Sequence, residues 1–250
     1  MPLRVGFDLD GTVADMYSAL HREALALFGD DAVRKAPEQA TKPQEVRGEQ
    51  NNKRPEDTSK PEDDPATTDA MRELQLTGRQ QMQLWDHVKK IENFWSTLPE
   101  LEPGIIARIA KAAVERRWEV IFLTTRPSTA GELVQMQSQR WLAAHGFQFP
   151  SVYVVQRSRG KIADALALDA FVDDRPENCL DIAVESKAKV ILVWHGNLAD
   201  VPAGAKRLGV QPVLTISEAM VLLEKLDDTR SRPGFIRSLK RALGADHRER

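Results

Sequence analysis

Asp8 and Asp10, within the run VGFDLDGTVAD over residues 5–15, are two carboxylates spaced two apart at the end of a short apolar segment. Side chains alternate along a strand, so both acids fall on one side while Phe7 and Leu9 point to the other. Gly11 then permits a sharp exit from the strand. Carboxylates at this spacing can divide attack on phosphorus, proton transfer and magnesium binding between them, where a single acid could do only part of the work. The same residue types also make an ordinary Asp-rich turn. The phosphoryl reading therefore depends on what the rest of the chain brings to the same place.

Three further polar clusters follow apolar runs. Residues 118–126, WEVIFLTTR, read as a buried strand that ends in Thr124, Thr125 and Arg126. Lys161 stands at the start of the helix-like stretch GKIADALAL, and the run AFVDD ends in Asp173 and Asp174. Taken singly, a threonine, a lysine or an acidic pair is a cap, a solvated charge or a turn. Their order carries the signal, because open parallel α/β sheets bind ligands at the carboxyl ends of their strands, where these groups would converge.

In that order DLDGT, the threonine of FLTTRP, Lys161 and VDDRPEN resemble the four motifs of the haloacid dehalogenase (HAD) superfamily, over most of the chain. FWSTLPELEPG before the second motif and DDRPEN in the fourth resemble the 5'-nucleotidase group that includes 5'(3')-deoxyribonucleotidases. The resemblance implies a phosphomonoester hydrolase that uses Mg2+ and acts on a small phosphorylated metabolite, with nucleoside and deoxynucleoside monophosphates as candidates. It implies that Asp8 is the nucleophile and forms an aspartyl phosphate, and that Asp10 protonates the leaving oxygen and then activates water. Thr124 and Lys161 would hold the nonbridging phosphate oxygens, with Gly11 and Thr125 beside them. Asp8, the backbone carbonyl of Asp10 and one acid of the Asp173 and Asp174 pair would hold the metal. Asp174 is expected as the direct ligand and Asp173 as the group orienting Lys161, although adjacent acids leave either order open. Arg126 is open between an anion receptor for substrate and a partner for a nearby acid. Sugar phosphates, nucleic-acid ends and a noncatalytic regulatory binder are the alternatives. Dehalogenation ranks below them, because Asp10 and the acidic metal site favour phosphate.

Composition agrees with a soluble enzyme. The 250 residues suffice for one core domain and a smaller accessory piece. A formal net charge of −2 argues against a chain that is basic all over and wraps nucleic acid. Cys179 is the one cysteine, so no intramolecular disulfide can form, which fits a reducing, cytoplasmic setting. No membrane span or signal peptide is indicated.

The elements that must position these groups alternate. Helices are expected over 16–28, after Gly104 with Ile105, Ile109, Ala112 and Ala113 on one face, over 133–145, over 180–188 and from 217 to 226, with strands over 152–155 and 190–194. Alternation of this kind predicts an α/β fold, a Rossmann-like HAD core with a parallel sheet flanked by helices and a small helical cap. The core is expected over 1–15 and 100–228 and the cap over 16–99. Within the cap, 35–69 is almost devoid of apolar residues and is expected to be disordered. Residues 71–95 predict a cap helix whose aromatic stripe, Trp85, Phe94 and Trp95, is open between core packing and stacking on a nucleobase. The basic tail 229–250 would suit an acidic partner or fray in solvent.

Overall fold

Six runs of branched and aromatic residues pair into one sheet. They are β1 (Arg4–Asp8), β2 (Glu119–Thr124), β3 (Ser151–Val154), β4 (Ala170–Asp173), β5 (Lys189–Val193) and β6 (Gln211–Val213). Their order is β3-β2-β1-β4-β5-β6, and every neighbouring pair is parallel. The computed structural model describes residues 2–29, 74, 76–156 and 158–231; the expected disordered stretch 35–69 and the tail from 232 lie outside the described residues.

Parallel neighbours cannot be joined by tight hairpins, so helices carry the chain across. These are α1 (Met16–Phe28), α2 (Gly78–Val88), α3 (Ile105–Arg116), α4 (Val134–Ala144), α5 (Arg159–Ala165), α6 (Pro176–Glu185), α7 (Ala203–Arg207) and α8 (Ile216–Ser231). Both faces of the sheet are covered, and the period-two alternation sorts the core into two clusters. Val5 and Phe7 of β1, Val120 and Phe122 of β2, and Ala170 and Val172 of β4 share one cluster with residues of α3, α4 and α8, which residues of α1 and α2 extend. Ile121, Leu123, Phe171, Val190 and Leu192 face α5, α6 and α7. Gly6 lies on the second face, where a Cβ would stand 2.3 Å from Cδ2 of Phe171, so no larger residue fits between β1 and β4.

The chain builds outward from β1 through β2 to β3, then returns to the other side of β1 to begin again with β4. That reversal places a crevice between the carboxyl ends of β1 and β4, where the order of strands switches. β1 ends at Asp8 and β4 at Asp173.

Several boundaries differ from the sequence expectation. The helix expected over 71–95 ends at Val88, and a separate 3-10 turn follows at Phe94–Ser96 after Asn93 adopts a left-handed φ of 53°. α6 begins at Pro176 rather than 180, because Pro is preorganised for a first helical position. α8 continues to Ser231, five residues past the expected end. β6 and α7 were not expected; both are too short for periodicity to register.

Candidate active site

The loop after β1 turns back on itself at once. Val13 and Ala14 both donate backbone N–H groups to the carbonyl of Leu9, and Gly11 donates to Ala14 at 2.9 Å. Gly11 has φ of +82°, and a Cβ there would lie 2.1 Å from Oδ2 of Asp174. Glycine is therefore required twice over, by backbone sign and by space. The turn leaves Asp8 almost wholly buried and brings the Thr12 hydroxyl, which donates to Asp174 Oδ1 at 3.1 Å, under the end of β4.

Asp8, Asp173 and Asp174 each offer a carboxylate oxygen within 4.8 Å of the others. The two β4 acids differ in their surroundings. Asp173 accepts the backbone N–H of Arg175 at 2.9 Å, the Asn178 amide on both oxygens and the guanidinium of Arg159. Asp174 accepts the Thr12 hydroxyl and keeps Oδ2 beside Gly11. Burial pushes Asp8 up to about 7, with Asp173 and Asp10 adding repulsion against the pull of Arg159. Burial, then Asp173 and Asp8, likewise hold Asp174 well above the usual carboxylate range.

Arg159 brings a buried cation to this cluster. Its Nη1 stands 2.6 Å from Asp8 Oδ1 and also bonds Asp173 Oδ2. Burial works against its charge, but Asp8 and Asp173 more than offset that and raise its pKa above the ordinary guanidinium value. Lys161, the lysine expected at this point, is exposed on α5. The reason is where the helix begins. Ser158 caps it, accepting from the Lys161 backbone N–H at 3.2 Å, and Asp181 accepts from both Ser158 Oγ and Gly160 N. Arg159 is thus the first helical residue, and at about 100° per residue a side chain two positions later points to the opposite side. Gly160 lets α5 approach α6 closely, since a Cβ there would be 2.4 Å from the Asp181 carbonyl.

Asp10 meets a second arginine. Arg126 donates from Nη2 to Asp10 Oδ1 at 2.7 Å and from Nε to Oδ2 at 2.8 Å, and its side chain is completely buried. Thr124, expected to touch phosphate, is buried instead; its hydroxyl donates to Asp10 Oδ2 at 3.3 Å. Trp95 and Phe94 are fully buried, so neither offers a ring face to a nucleobase as the aromatic stripe allowed. Trp95 lies under the Arg126 guanidinium at 5.0 Å, and its indole N–H donates to the Pro127 carbonyl. Trp85 packs against the same core, tilted toward Trp95 at 6.4 Å.

A pocket of about 300 Å³ opens on these groups, walled by Asp8, Asp10, Asp174, Thr125, Tyr17 and His195. His195, from the loop after β5, donates from Nε2 to the Gly11 carbonyl at 2.6 Å and so braces the turn from the far side. A wider cleft of about 1240 Å³ shares Thr125, Arg159 and Arg175 with the pocket and extends toward Tyr153 on the sheet edge. The sequence reading passed over Thr12, Arg159, Arg175, Asn178 and His195. For Arg159 a signal existed, the serine at 158 that starts the helix; for His195 none did.

The donor set suits a hard divalent cation. All three clustered groups are carboxylates, oxygen donors of the kind a hard divalent ion takes.

No protein-family model and no curated protein sequence matches the chain. Solved structures do. A HAD family hydrolase from Deinococcus radiodurans R1, solved with bound phosphate and sodium, superimposes with a TM-score of 0.51 at 12% identity, over 90% of this chain and 96% of that one. A haloacid dehalogenase-like family hydrolase from Xanthomonas campestris gives 0.45 at 15% identity, over 92% and 98%. A third of that description from Streptococcus pneumoniae gives 0.47 at 12%, over 89% and 98%. The superposition on the Deinococcus hydrolase and the parallel six-stranded sheet give the Rossmann-like α/β fold expected from the alternation of elements.

Proposed function

We propose that the chain is a magnesium-dependent phosphomonoester hydrolase working through an aspartyl phosphate on Asp8. The observation that carries this reading is the clustering of Asp8, Asp173 and Asp174, the first two buried and bonded to the Arg159 guanidinium, at the switch point of a HAD-type sheet. The phosphate and sodium bound by the Deinococcus hydrolase are compatible with it.

Asp8, Asp174 and the backbone carbonyl of Asp10 would hold Mg2+, which when bound neutralises charge on the transferring phosphoryl group. Asp173, its oxygens already taken by Arg159, Arg175 N and Asn178, acts by fixing the guanidinium. In the first half-reaction a carboxylate oxygen of Asp8 attacks phosphorus and the ester P–O bond breaks. The leaving oxygen takes its electron pair and a proton from Asp10. In the second half water attacks the same phosphorus, Asp10 receives its proton, and the P–O bond to Asp8 opens to release phosphate. Arg159 and Thr125, which line the pocket, would meet the phosphate oxygens, Thr125 as the sequence suggested and Arg159 beside the position where it suggested Lys161. The wider cleft beside Arg175 would receive the alcohol portion of the ester. Helices α1 and α2, linked where His87 Nε2 lies 3.2 Å from Glu23, would act as the cap over the core of residues 1–15 and 100–228.

The test is phosphate release from a panel of ribo- and deoxyribonucleoside monophosphates and sugar phosphates, with and without magnesium. Metal-dependent turnover lost in Asp8→Asn supports the reading, and the preferred member identifies the substrate class. No turnover on any member by folded protein in magnesium would overturn it.

A further inference from the structure

We infer that Arg126 is a positioning residue that holds the carboxylate of Asp10 in the orientation needed for proton transfer to the leaving group. The inference rests on the phosphatase reading above.

The geometry is that of a clamp. Arg126 meets Asp10 side-on, with Nη2 at 2.7 Å and Nε at 3.0 Å from Oδ1 and Nε at 2.8 Å from Oδ2. A planar guanidinium fixes the plane and direction of a carboxylate in this way; a lysine ammonium, a point charge on a flexible stem, does not. The guanidinium is itself immobilised. Nη1 donates to Ser138 Oγ at 3.0 Å, Trp95 stacks at 5.0 Å and Trp141 lies at 6.0 Å. Both tryptophans are anchored through their indole N–H groups, Trp95 to the Pro127 carbonyl and Trp141 to the Leu98 carbonyl. Asp10 follows the end of β1, in a turn built around a glycine, and reaches Arg126 and Thr124 from the adjacent β2 side. Without the clamp, the 3.3 Å bond from Thr124 Oγ1 would be the one side-chain hydrogen bond left to it among the described residues. Arg126 itself is shielded from the reacting phosphate, because its side chain has no exposure while Asp10 retains 11%.

A residue that acts only by aiming the acid has a recognisable kinetic signature. Cleavage of an alkyl phosphate needs the leaving oxygen protonated, whereas 4-nitrophenolate leaves without help. With Mg2+ present, kcat/KM is measured for an alkyl phosphomonoester and for 4-nitrophenyl phosphate, in wild type, Arg126→Lys, Asp10→Asn and the double variant. Arg126→Lys is expected to lower the alkyl ester about 100-fold and 4-nitrophenyl phosphate less than about tenfold, and to have no further effect on the alkyl ester once Asp10 is Asn. Thermal melting checks that each variant is folded. Ser138→Ala, which removes one restraint on the guanidinium and keeps its charge, carries the same comparison if Arg126→Lys does not fold, with a smaller but equally selective loss. Equal losses on the two esters, or a full additional loss in the Asp10→Asn background, overturn the inference and leave the phosphatase reading standing. Failure of wild type to cleave either ester overturns both.

Discussion

Nη1 of Arg159 lies 2.6 Å from Oδ1 of Asp8, and the same nitrogen bonds Asp173 at the end of the neighbouring strand β4. One buried cation therefore ties together the two strands between which the sheet reverses its order, at the place where a phosphate would be received.

Replacing that cation should be severe. Arg159→Met is expected to lower kcat/KM for any cleaved phosphomonoester by about 10²–10³-fold, the scale seen for removing one preorganised charge-stabilising group. Lys161→Ala, exposed on the same helix, should change it by no more than about twofold. A large loss in Lys161→Ala with Arg159→Met near wild type would reverse the assignment.

Asp8 makes the metal-free protein sensitive to pH. Its pKa in the folded chain is about 7 against 3.8 for the free group, so between those values the folded state holds a proton that the unfolded state has lost. Stability from this group is full below pH 4 and is lost as pH rises toward and through 7. In chelator, the difference in melting temperature between Asp8→Asn and wild type should therefore grow in favour of the variant from pH 5 to pH 8. Magnesium should raise the wild-type melting temperature more at pH 8 than at pH 5. A difference that is flat with pH, or of opposite sign, would contradict the burial argument.

Gly11 has both a positive φ and no room for a Cβ beside Asp174. Gly11→Ala should destabilise the chain by about 1–3 kcal/mol in urea unfolding and weaken magnesium binding in calorimetry. A variant as stable as wild type that binds the metal equally well would show that the turn tolerates a side chain.

Trp95 supports a buried guanidinium. Trp95→Ala should cost about 3–5 kcal/mol of stability. Were it a base-stacking residue, the same change would raise KM for nucleotides and leave unfolding unaltered.

Much of this arrangement can be read from the chain. Alternation along β1 places Asp8 on the opposite side from Phe7, and the runs that become β2, β4 and β5 are apolar on both faces because both are covered. What periodicity does not carry is the phase of short elements. The segment SRGK presents two cations, and which one turns inward depends on the single residue at which α5 begins, fixed by Ser158 and by Asp181 from a different helix. Trp95 fits the apolar spacing of the preceding helix equally well whether that helix continues or stops; it stops at Val88, beside Lys89 whose carbonyl accepts the Ala130 N–H, and the left-handed Asn93, whose amide oxygen accepts the Glu132 N–H, leads into the separate turn that carries Trp95. Both decisions are made by contacts distant in sequence. The partner of Arg126, open between substrate and acid in the sequence, is likewise decided by the approach of β2 to β1.

The decisive experiment is to quench the reaction with acid during turnover of a phosphomonoester labelled in its phosphoryl group and to map the label onto peptides. The expected result is label on the peptide containing Asp8, sensitive to base and hydroxylamine, and absent from Asp8→Asn. Turnover without covalent label, in an Asp8→Asn variant as active as wild type, would contradict the assignment of Asp8 as the nucleophile.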